Sequence, residues 1–179
     1  NLDCLNTLNN NCLSIVVNLW YDSCMIVSFS IKAKPFSVNK AYYKNRQLTQ
    51  EARQWREDFL LQLQKSEVLQ KIQSLKKEFH SKKHALSVSY DFFYPRNLLL
   101  TKKGEVSRRS MDLTNIEKLV QDNLFESRYN GREIDGVIIE NFDIDDKFIV
   151  CLHSRKLGHD QQHHEILITV QLVSLKSLT

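Results

Sequence analysis

Alternation of apolar and polar residues predicts two strands in the first half of the chain. In residues 25–34 apolar side chains at every second position alternate with serine and lysine, as in a strand with one buried face. Pro35 ends this strand, because proline cannot donate to a sheet ladder. Residues 85–94 repeat the alternation and stop at Pro95. The expected buried positions are Val27, Phe29, Ile31 and Ala33 in the first strand and Leu86, Val88, Tyr90, Phe92 and Tyr94 in the second.

Helical spacing predicts two main helices. Thr49 is a suitable N-cap for a long helix whose apolar pattern fades near Leu75. A second helix lies within residues 110–125, where apolar side chains recur on one side and polar ones on the other. The apolar stripes are Ala52, Trp55, Phe59 and Leu63 in the first helix and Leu113, Ile116, Val120 and Leu124 in the second, whose other side carries Asn115, Lys118 and Asp122.

Three more strand candidates complete the chain. VIIENF (137–142), DKFIVCLHS (146–154) and EILITVQLV (165–173) follow a loop at 96–111, the second helix and a turn-rich insertion. We expect the last two candidates to form a hairpin across the Gly158 region. The order of elements predicts an α+β domain, with a mixed β-sheet and two main helices packed on it.

Charge and hydropathy divide the chain into an extension and a domain. The net charge is +4, and residues 1–24 contain no lysine or arginine. The basic excess therefore lies in residues 25–179, which is compatible with a polyanionic partner. Residues 12–31 are apolar but interrupted by Asn18 and Asp22, and no basic segment precedes them. They fit neither a signal peptide nor a membrane span.

Histidine and cysteine spacing offers a weaker alternative for metal binding. His159 and His163 are four residues apart, which would suit zinc on a helix, but the surrounding residues indicate a polar turn. The four cysteines lack the spacing of a zinc knuckle or a redox motif. We expect them to be reduced thiols in a cytoplasmic protein.

Acidic residues far apart in the sequence suggest a site for a divalent cation. Phosphodiester hydrolysis needs a cation held by carboxylates from separate segments. Asp112 at a helix start and Asp145 or Asp146 before a strand are suitable, and Lys118 could reach a phosphate oxygen. Purely structural interpretations remain open: Asp112 could be a cap, Thr114 and Glu117 a capping box, and Lys118 and Asp122 a surface pair.

Basic and aromatic residues alternate in the loop after the first strand. Cations beside flat rings suit a nucleic-acid backbone and its bases, although an ordinary solvated loop has the same composition. If the loop binds DNA, affinity should fall steeply with salt. The candidate contacts are Lys40, Lys44 and Arg46 beside Tyr42 and Tyr43, together with Arg108, Arg109 and Asn115.

Four stretches resemble the RusA family of Holliday-junction resolvases, which are phage-associated endonucleases. MIVSFSIKAKPFSVNKAYYKNR is similar to the family's opening strand and its P-x-S-x-N loop, and LTQEARQWRE is similar to its first helix. MDLTNIEKLVQDNLF resembles the D-x-D-N-x-x-K helix, and IDDKFIVCLHSRK resembles the region with the last catalytic acid. The resemblance covers roughly residues 25–173, so we interpret residues 25–179 as a RusA-like endonuclease domain and residues 1–24 as an extension.

The resemblance implies a function and a set of residues. It implies a Mg²⁺-dependent homodimer, with Mn²⁺ able to substitute, that resolves four-way or branched DNA by paired symmetric nicks in recombination and repair. The setting would be the cytoplasm of a bacterial or phage-infected cell. The implied catalytic residues are Asp112, Asp146, Asp145 and the lysine Lys118; the metal ligands would be Asp112, Asp146, Asp145 and Asp143.

One departure from the family pattern is chemically important. Thr114 stands where the family has its second catalytic aspartate, and a hydroxyl is a weaker metal ligand than a carboxylate. Asp143, Asp145 and Asp122 are candidates to replace it. The alternative is a catalytically impaired protein of the same fold that binds branched DNA without cutting it.

Overall fold

The computed structural model of the protein describes residues 25–44, 47–107 and 112–178. The strands are β1 (Ile26–Ile31), β2 (His84–Pro95), β3 (Glu133–Ile134), β4 (Val137–Ile138), β5 (Ile149–His159) and β6 (Glu165–Ser174). The α-helices are α1 (Val38–Ala41), α2 (Gln50–Leu63), α3 (Ser66–Glu78), α4 (Arg96–Leu99) and α5 (Leu113–Phe125). Short 3₁₀ turns cover Ser127–Tyr129, Asp146–Phe148 and Leu175–Leu178.

A four-stranded mixed sheet in the order β1-β6-β2-β5 carries the fold. Strand β6 is antiparallel to both β1 and β2, whereas β5 runs parallel to β2 along the edge. The predicted hairpin between the last two strands is therefore wrong, because β2 lies between β5 and β6 and pairs with each. A parallel edge strand cannot follow its neighbour through a tight turn, so the chain between β2 and β5 has to cross the sheet.

One face of the sheet carries the hydrophobic core. Every second residue of β1, β2 and β6 is buried, as the alternation predicts, and these side chains pack with α2, α3 and α5 in a single cluster. The opposite face has small polar side chains such as Ser28 and Thr169, whose hydroxyl oxygens are 3.0 Å apart. The predicted mixed α+β architecture is confirmed. The predicted positions that are buried are Val27, Phe29, Ile31, Leu86, Val88, Tyr90, Phe92 and Tyr94.

The long helix expected after Thr49 is two helices. Thr49 is the N-cap, as predicted, and its hydroxyl accepts the Ala52 backbone N–H at 3.2 Å. The break comes at Gln64, whose side-chain amide donates to the Glu140 carbonyl at 2.9 Å and accepts the Glu140 N–H at 3.0 Å. This pairing with a distant backbone segment holds the helix end in place. Three main helices, instead of two, therefore pack on the sheet.

The loop expected at residues 96–111 contains more structure than the sequence indicated. Helix α4 follows β2 directly, and Leu100 forms an antiparallel bridge with Val106. The α4 side chain Leu99 packs close to Gly158 of β5, so this segment is attached to the sheet edge. In the part of the chain that the structure describes, no helix combines the length and apolarity needed to cross a membrane.

Shortening a buried side chain of the central strand β6 should test the hydrophobic core. Ile168 on β6 is fully buried, whereas Ile26 on the neighbouring β1 is 43% exposed. We expect Ile168→Ala to lower the free energy of unfolding by about 2–5 kcal/mol through lost burial and a residual cavity. The same change at Ile26 should cost within about 0.5 kcal/mol, as for surface substitutions. Urea unfolding followed by circular dichroism measures both, and equal losses would contradict the one-sided core.

Candidate active site

Helix α5 is attached to the edge strand by a polar contact instead of by a capping box. Asp112 is the N-cap, but its side chain makes no capping hydrogen bond; it accepts from the Asn115 side-chain amide at 3.4 Å. Thr114 lies inside the helix, so the predicted Thr114–Glu117 capping box is not formed. The Glu117 carboxylate instead accepts a short hydrogen bond from the Ser154 hydroxyl of β5. This contact fixes the side of α5 that faces the sheet edge.

Lys118 joins two carboxylates from separate parts of the chain. Its Nζ is 2.6 Å from Oδ1 of Asp122 on the same helix and 3.6 Å from Oδ2 of Asp146 in the loop before β5. The Gln121 side chain also donates to Asp146 Oδ2, at 3.3 Å. The Lys118–Asp122 pair is not a surface pair, because the Asp122 side chain is only 8% exposed while that of Lys118 is 51% exposed.

The charges around Lys118 determine its protonation. The hydrogen bond that Lys118 donates to Asp122, together with the negative charges of Asp122, Asp146 and Glu126, raises the pKa of Lys118 against the opposing effect of partial burial. Beneath this cluster, burial first and then the charges of Glu117 and Asp122 raise the pKa of Tyr90 well above its ordinary value. The site therefore holds a protonated ammonium above a neutral phenol.

Residues 139–144 close over the C-terminal end of α5 and bring the acidic loop to the helix. The Asn141 side-chain amide donates to the carbonyl oxygens of Asn123 at 3.1 Å and Glu126 at 2.9 Å. The Phe142 N–H donates to the Leu124 carbonyl at 2.9 Å, and its ring stacks on Phe125 with centroids 5.2 Å apart. The segment VIIENF is therefore a strand only at Val137–Ile138, and its remainder caps the helix.

The other predicted acids have different partners. The Asp145 carboxylate is 2.8 Å from Lys147 Nζ, and hydrogen bonds from Lys147 lower the pKa of Asp145. Asp143 has a left-handed backbone, with φ of +51°, and accepts from the Asn130 side chain at 3.3 Å. Among residues 25–44, 47–107 and 112–178, no three Asp, Glu, His or Cys side chains form a group that could hold a metal ion. The structure thus brings Lys118, Asp122 and Asp146 together, whereas Asp112 and Asp143 each accept a hydrogen bond from an asparagine side chain.

An open pocket of 360 Å³ lies beside this cluster. Acidic side chains occupy part of its lining, and Arg128 adds a cation. Burial opposes the charge of Arg128, yet neighbouring Tyr129, Glu126 and Tyr42 raise the pKa of the guanidinium above its ordinary value. Arg128 forms an ion pair with Glu126, which lines the same pocket. Its lining residues are Gln121, Asp122, Phe125, Glu126, Ser127, Arg128, Asp145 and Asp146.

A buried arginine supports the wall of the pocket and was missed by the sequence analysis. Arg56 of α2 is only 8% exposed; its Nε donates to Asn123 Oδ1 at 3.1 Å, and its guanidinium lies 4.6 Å from the centroid of the Tyr129 ring. Arg128 lies over the same ring at 4.9 Å. The available signal was the position of Arg56, four residues after Ala52 on the buried stripe of α2.

The basic and aromatic loop lies beside α5. Ala41 of α1, Ala52 of α2 and Leu119 of α5 form a small buried cluster that holds the loop in place. Lys40 and Lys44 are exposed, as DNA contacts require, and Asn115 is half-buried. The other predicted DNA contacts, Arg46, Arg108 and Arg109, lie outside the described residues.

The histidines and cysteines do not form an alternative metal centre in the described part of the chain. His159 Nε2 is 2.7 Å from the backbone carbonyl of His163, so this nitrogen already has a partner. Cys151 is an exposed free thiol, and Cys4, Cys12 and Cys24 lie outside the described residues.

No family model matches the chain, and no curated protein matches it.

The closure of residues 139–144 over α5 can be tested at Asn141, which is completely buried. Asn141→Asp keeps the shape of the side chain but removes the amide donor and turns a carboxylate towards two carbonyl oxygens. We expect the free energy of unfolding to fall by about 1–3 kcal/mol or more, the cost of unsatisfied buried polar groups. Asn97→Asp at an exposed position of α4 is the matched control and should have little effect. An Asn141→Asp variant as stable as the parent in urea would contradict this account.

Proposed function

We propose that the protein is a Mg²⁺-dependent, structure-selective endonuclease of the RusA type that resolves Holliday junctions and other branched DNA. The observation that carries the proposal is the position of Lys118, whose ammonium lies between the carboxylates of Asp122 and Asp146. These two acids come from separate segments, and both line an open pocket. Carboxylates that can hold a divalent cation are what metal-dependent phosphodiester hydrolysis needs, and a lysine and an arginine lie near them.

The donor set fits a hard divalent cation. Carboxylate oxygens are the side-chain ligands that Mg²⁺ prefers. The Lys118 ammonium is already a positive charge between Asp122 and Asp146, so the two carboxylates are arranged around a cation. Asp146 and Asp122 would hold the ion, with Asp145 lining the same pocket and Asp112 at the N-terminal end of α5. When bound, Mg²⁺ would neutralise charge on the scissile phosphate and activate a water molecule.

The remaining side chains would bind the DNA backbone. Arg128 lines the pocket and its guanidinium can bind a phosphate oxygen, a role for which arginine is well suited. Lys40 and Lys44 are exposed on the segment that packs beside α5, where Tyr43 is 55% exposed and available to stack on a base. These groups extend positive charge from the pocket towards the loop after β1.

A RusA-like fold, a homodimer and paired nicks belong to the same proposal. A four-way junction presents two equivalent strands, and a symmetric dimer would place one site at each. The support for this part is the resemblance of residues 25–173 together with a mixed sheet that carries the D-x-x-N-x-x-K helix on its covered face.

Junction cleavage tests the proposal directly. The parent should cut a synthetic four-way junction in Mg²⁺, and Asp146→Asn should reduce the rate by at least about a hundredfold through loss of a metal ligand while leaving junction binding intact. Asp58→Asn is a matched control, because Asp58 is exposed on α2 and contacts only Gln54 among the hydrogen bonds described. Gel assays of cleavage and binding measure both. Equal cleavage by the parent and Asp146→Asn, or none by the parent in Mg²⁺ or Mn²⁺, would refute the proposal.

A second candidate function is binding of branched DNA without cleavage. The observation that favours it is Thr114, which is exposed on the first turn of α5 in the place of a family aspartate. Thr114, Lys118 and Asp122 follow one another at intervals of four residues and so lie on one side of the helix. That side therefore carries one carboxylate where two would strengthen a cation site.

Restoring the acid distinguishes the two candidates. Thr114→Asp should be tolerated, because an acid in the first helical turn is favourable. Position 114 lies about 12 Å along the helix from Asp122, so a carboxylate there would act with Asp112 at the start of α5. If that end of the helix takes part in catalysis, we expect the rate of junction cleavage in Mg²⁺ to rise about tenfold. Thr114→Asn is the matched neutral control. An unchanged rate in both variants would mean that the site does not use a carboxylate at this position.

A further inference from the structure

Asp122 is unusual among the acids of this protein. It is the one carboxylate that is buried among the described residues, and the cation that neutralises it is Lys118, at 2.6 Å. A buried carboxylate is costly unless it is paired, so the position next to Asp122 has to hold a positive charge. By contrast, the nearby pair of Lys147 and Asp145 is exposed on both sides, at 67% and 51%.

Lys118 can leave this position without disturbing the core. Its side chain is 51% exposed, and a lysine ammonium sits on a flexible four-carbon stem. Its distance to Asp146 Oδ2, 3.6 Å, is longer than a good charge-assisted hydrogen bond. Asp146 is held independently by Gln121, at 3.3 Å. Asp146 therefore keeps a partner when the ammonium moves, and Asp122 is held by its buried position on α5.

We propose that the space between Asp122 and Asp146 is a cation-exchange site, which Lys118 occupies until a divalent metal ion binds both carboxylates and displaces it. Asp122 then supplies the carboxylate that Thr114 lacks. The inference rests on the proposed function in placing the metal ion here, and it adds a regulation: the protein's own lysine competes with the metal. The displaced ammonium is free to contact a phosphate at the mouth of the pocket.

Replacing a lysine that occupies the cation position should affect metal affinity differently from replacing an ordinary catalytic lysine. A lysine that only contacts substrate leaves metal affinity nearly unchanged when it is replaced. A lysine that occupies the cation position lowers metal affinity, so its removal makes the metal bind more tightly even as cleavage falls. Metal binding by the full chain without DNA therefore isolates the effect.

Titration with Mn²⁺, followed by the electron paramagnetic resonance signal of the free ion, measures that affinity. Lys118→Met and Lys118→Gln should bind Mn²⁺ about five- to tenfold more tightly than the parent, because the metal no longer has to break a semi-buried ion pair. Lys118→Gln keeps an amide donor for Asp122, which protects the fold if the Met variant is unstable. Lys147→Met removes an equally charged neighbour and should change the affinity by less than about twofold, since exposed pairs contribute little.

The role of the carboxylates as metal ligands is tested in the Lys118→Gln variant, which is expected to bind Mn²⁺ more tightly. Adding Asp146→Asn to Lys118→Gln should abolish the gain in Mn²⁺ affinity. Unchanged or weaker Mn²⁺ binding by both Lys118 variants, or an equal gain from Lys147→Met, would overturn the inference. If the Lys118 variants bind Mn²⁺ more tightly but the parent leaves junctions uncut, only the proposed function is refuted. If the parent cleaves junctions but the Lys118 variants show no gain in Mn²⁺ affinity, only the exchange site is refuted.

Discussion

The closure of residues 139–144 over the end of α5 is the constraint on which the site depends. The helix leaves carbonyl groups without partners at its C-terminus. Asn141 donates to the carbonyl oxygens of Asn123 and of the C-cap residue Glu126, and Phe142 stacks on Phe125. Once this segment is seated, the next residues have little choice of path. Asp146 then comes within reach of Lys118, although the two are 28 residues apart in the chain. The packing and hydrogen bonds of residues 139–144 thus place the acidic loop beside the helix.

The environment of α5 explains why its polar residues differ in role. The side of α5 that faces the sheet is apolar and buried. The contact of Glu117 with Ser154 attaches the helix to the edge strand β5, and Leu119 packs against the basic and aromatic loop. Lys118 and Asp122 lie at the boundary between these surfaces. One partner is therefore exposed and mobile, while the other is buried and depends on a cation. This asymmetry makes the pair suitable for exchange with a metal ion.

The wall of the pocket has its own electrostatic requirement. Arg56 and Arg128 both lie over the ring of Tyr129, and Arg56 is buried against Asn123 with no ion pair among the described residues. A guanidinium can be buried in this way because it is weakly hydrated and stacks on aromatic faces. The arrangement places Arg128, which is ion-paired with Glu126, in the lining of a pocket whose other charged residues are acidic.

The sequence by itself determined which side of each strand and helix is buried, because burial follows a period of two residues in a strand and 3.6 in a helix. These periods are visible in the alternation from Val27 to Ile31 and in the stripe from Ile116 to Leu124. A motif and a resemblance also predicted that Lys118 and Asp146 belong to one site, and the structure brings these two side chains within 3.6 Å of each other. Only the tertiary structure decided that β2 separates β5 from β6, that Gln64 divides the long helix, and that Asp122, instead of Asp112, lies beside Asp146 and Lys118. These outcomes depend on contacts such as Gln64 with Glu140, which join residues far apart in the chain and leave no local pattern.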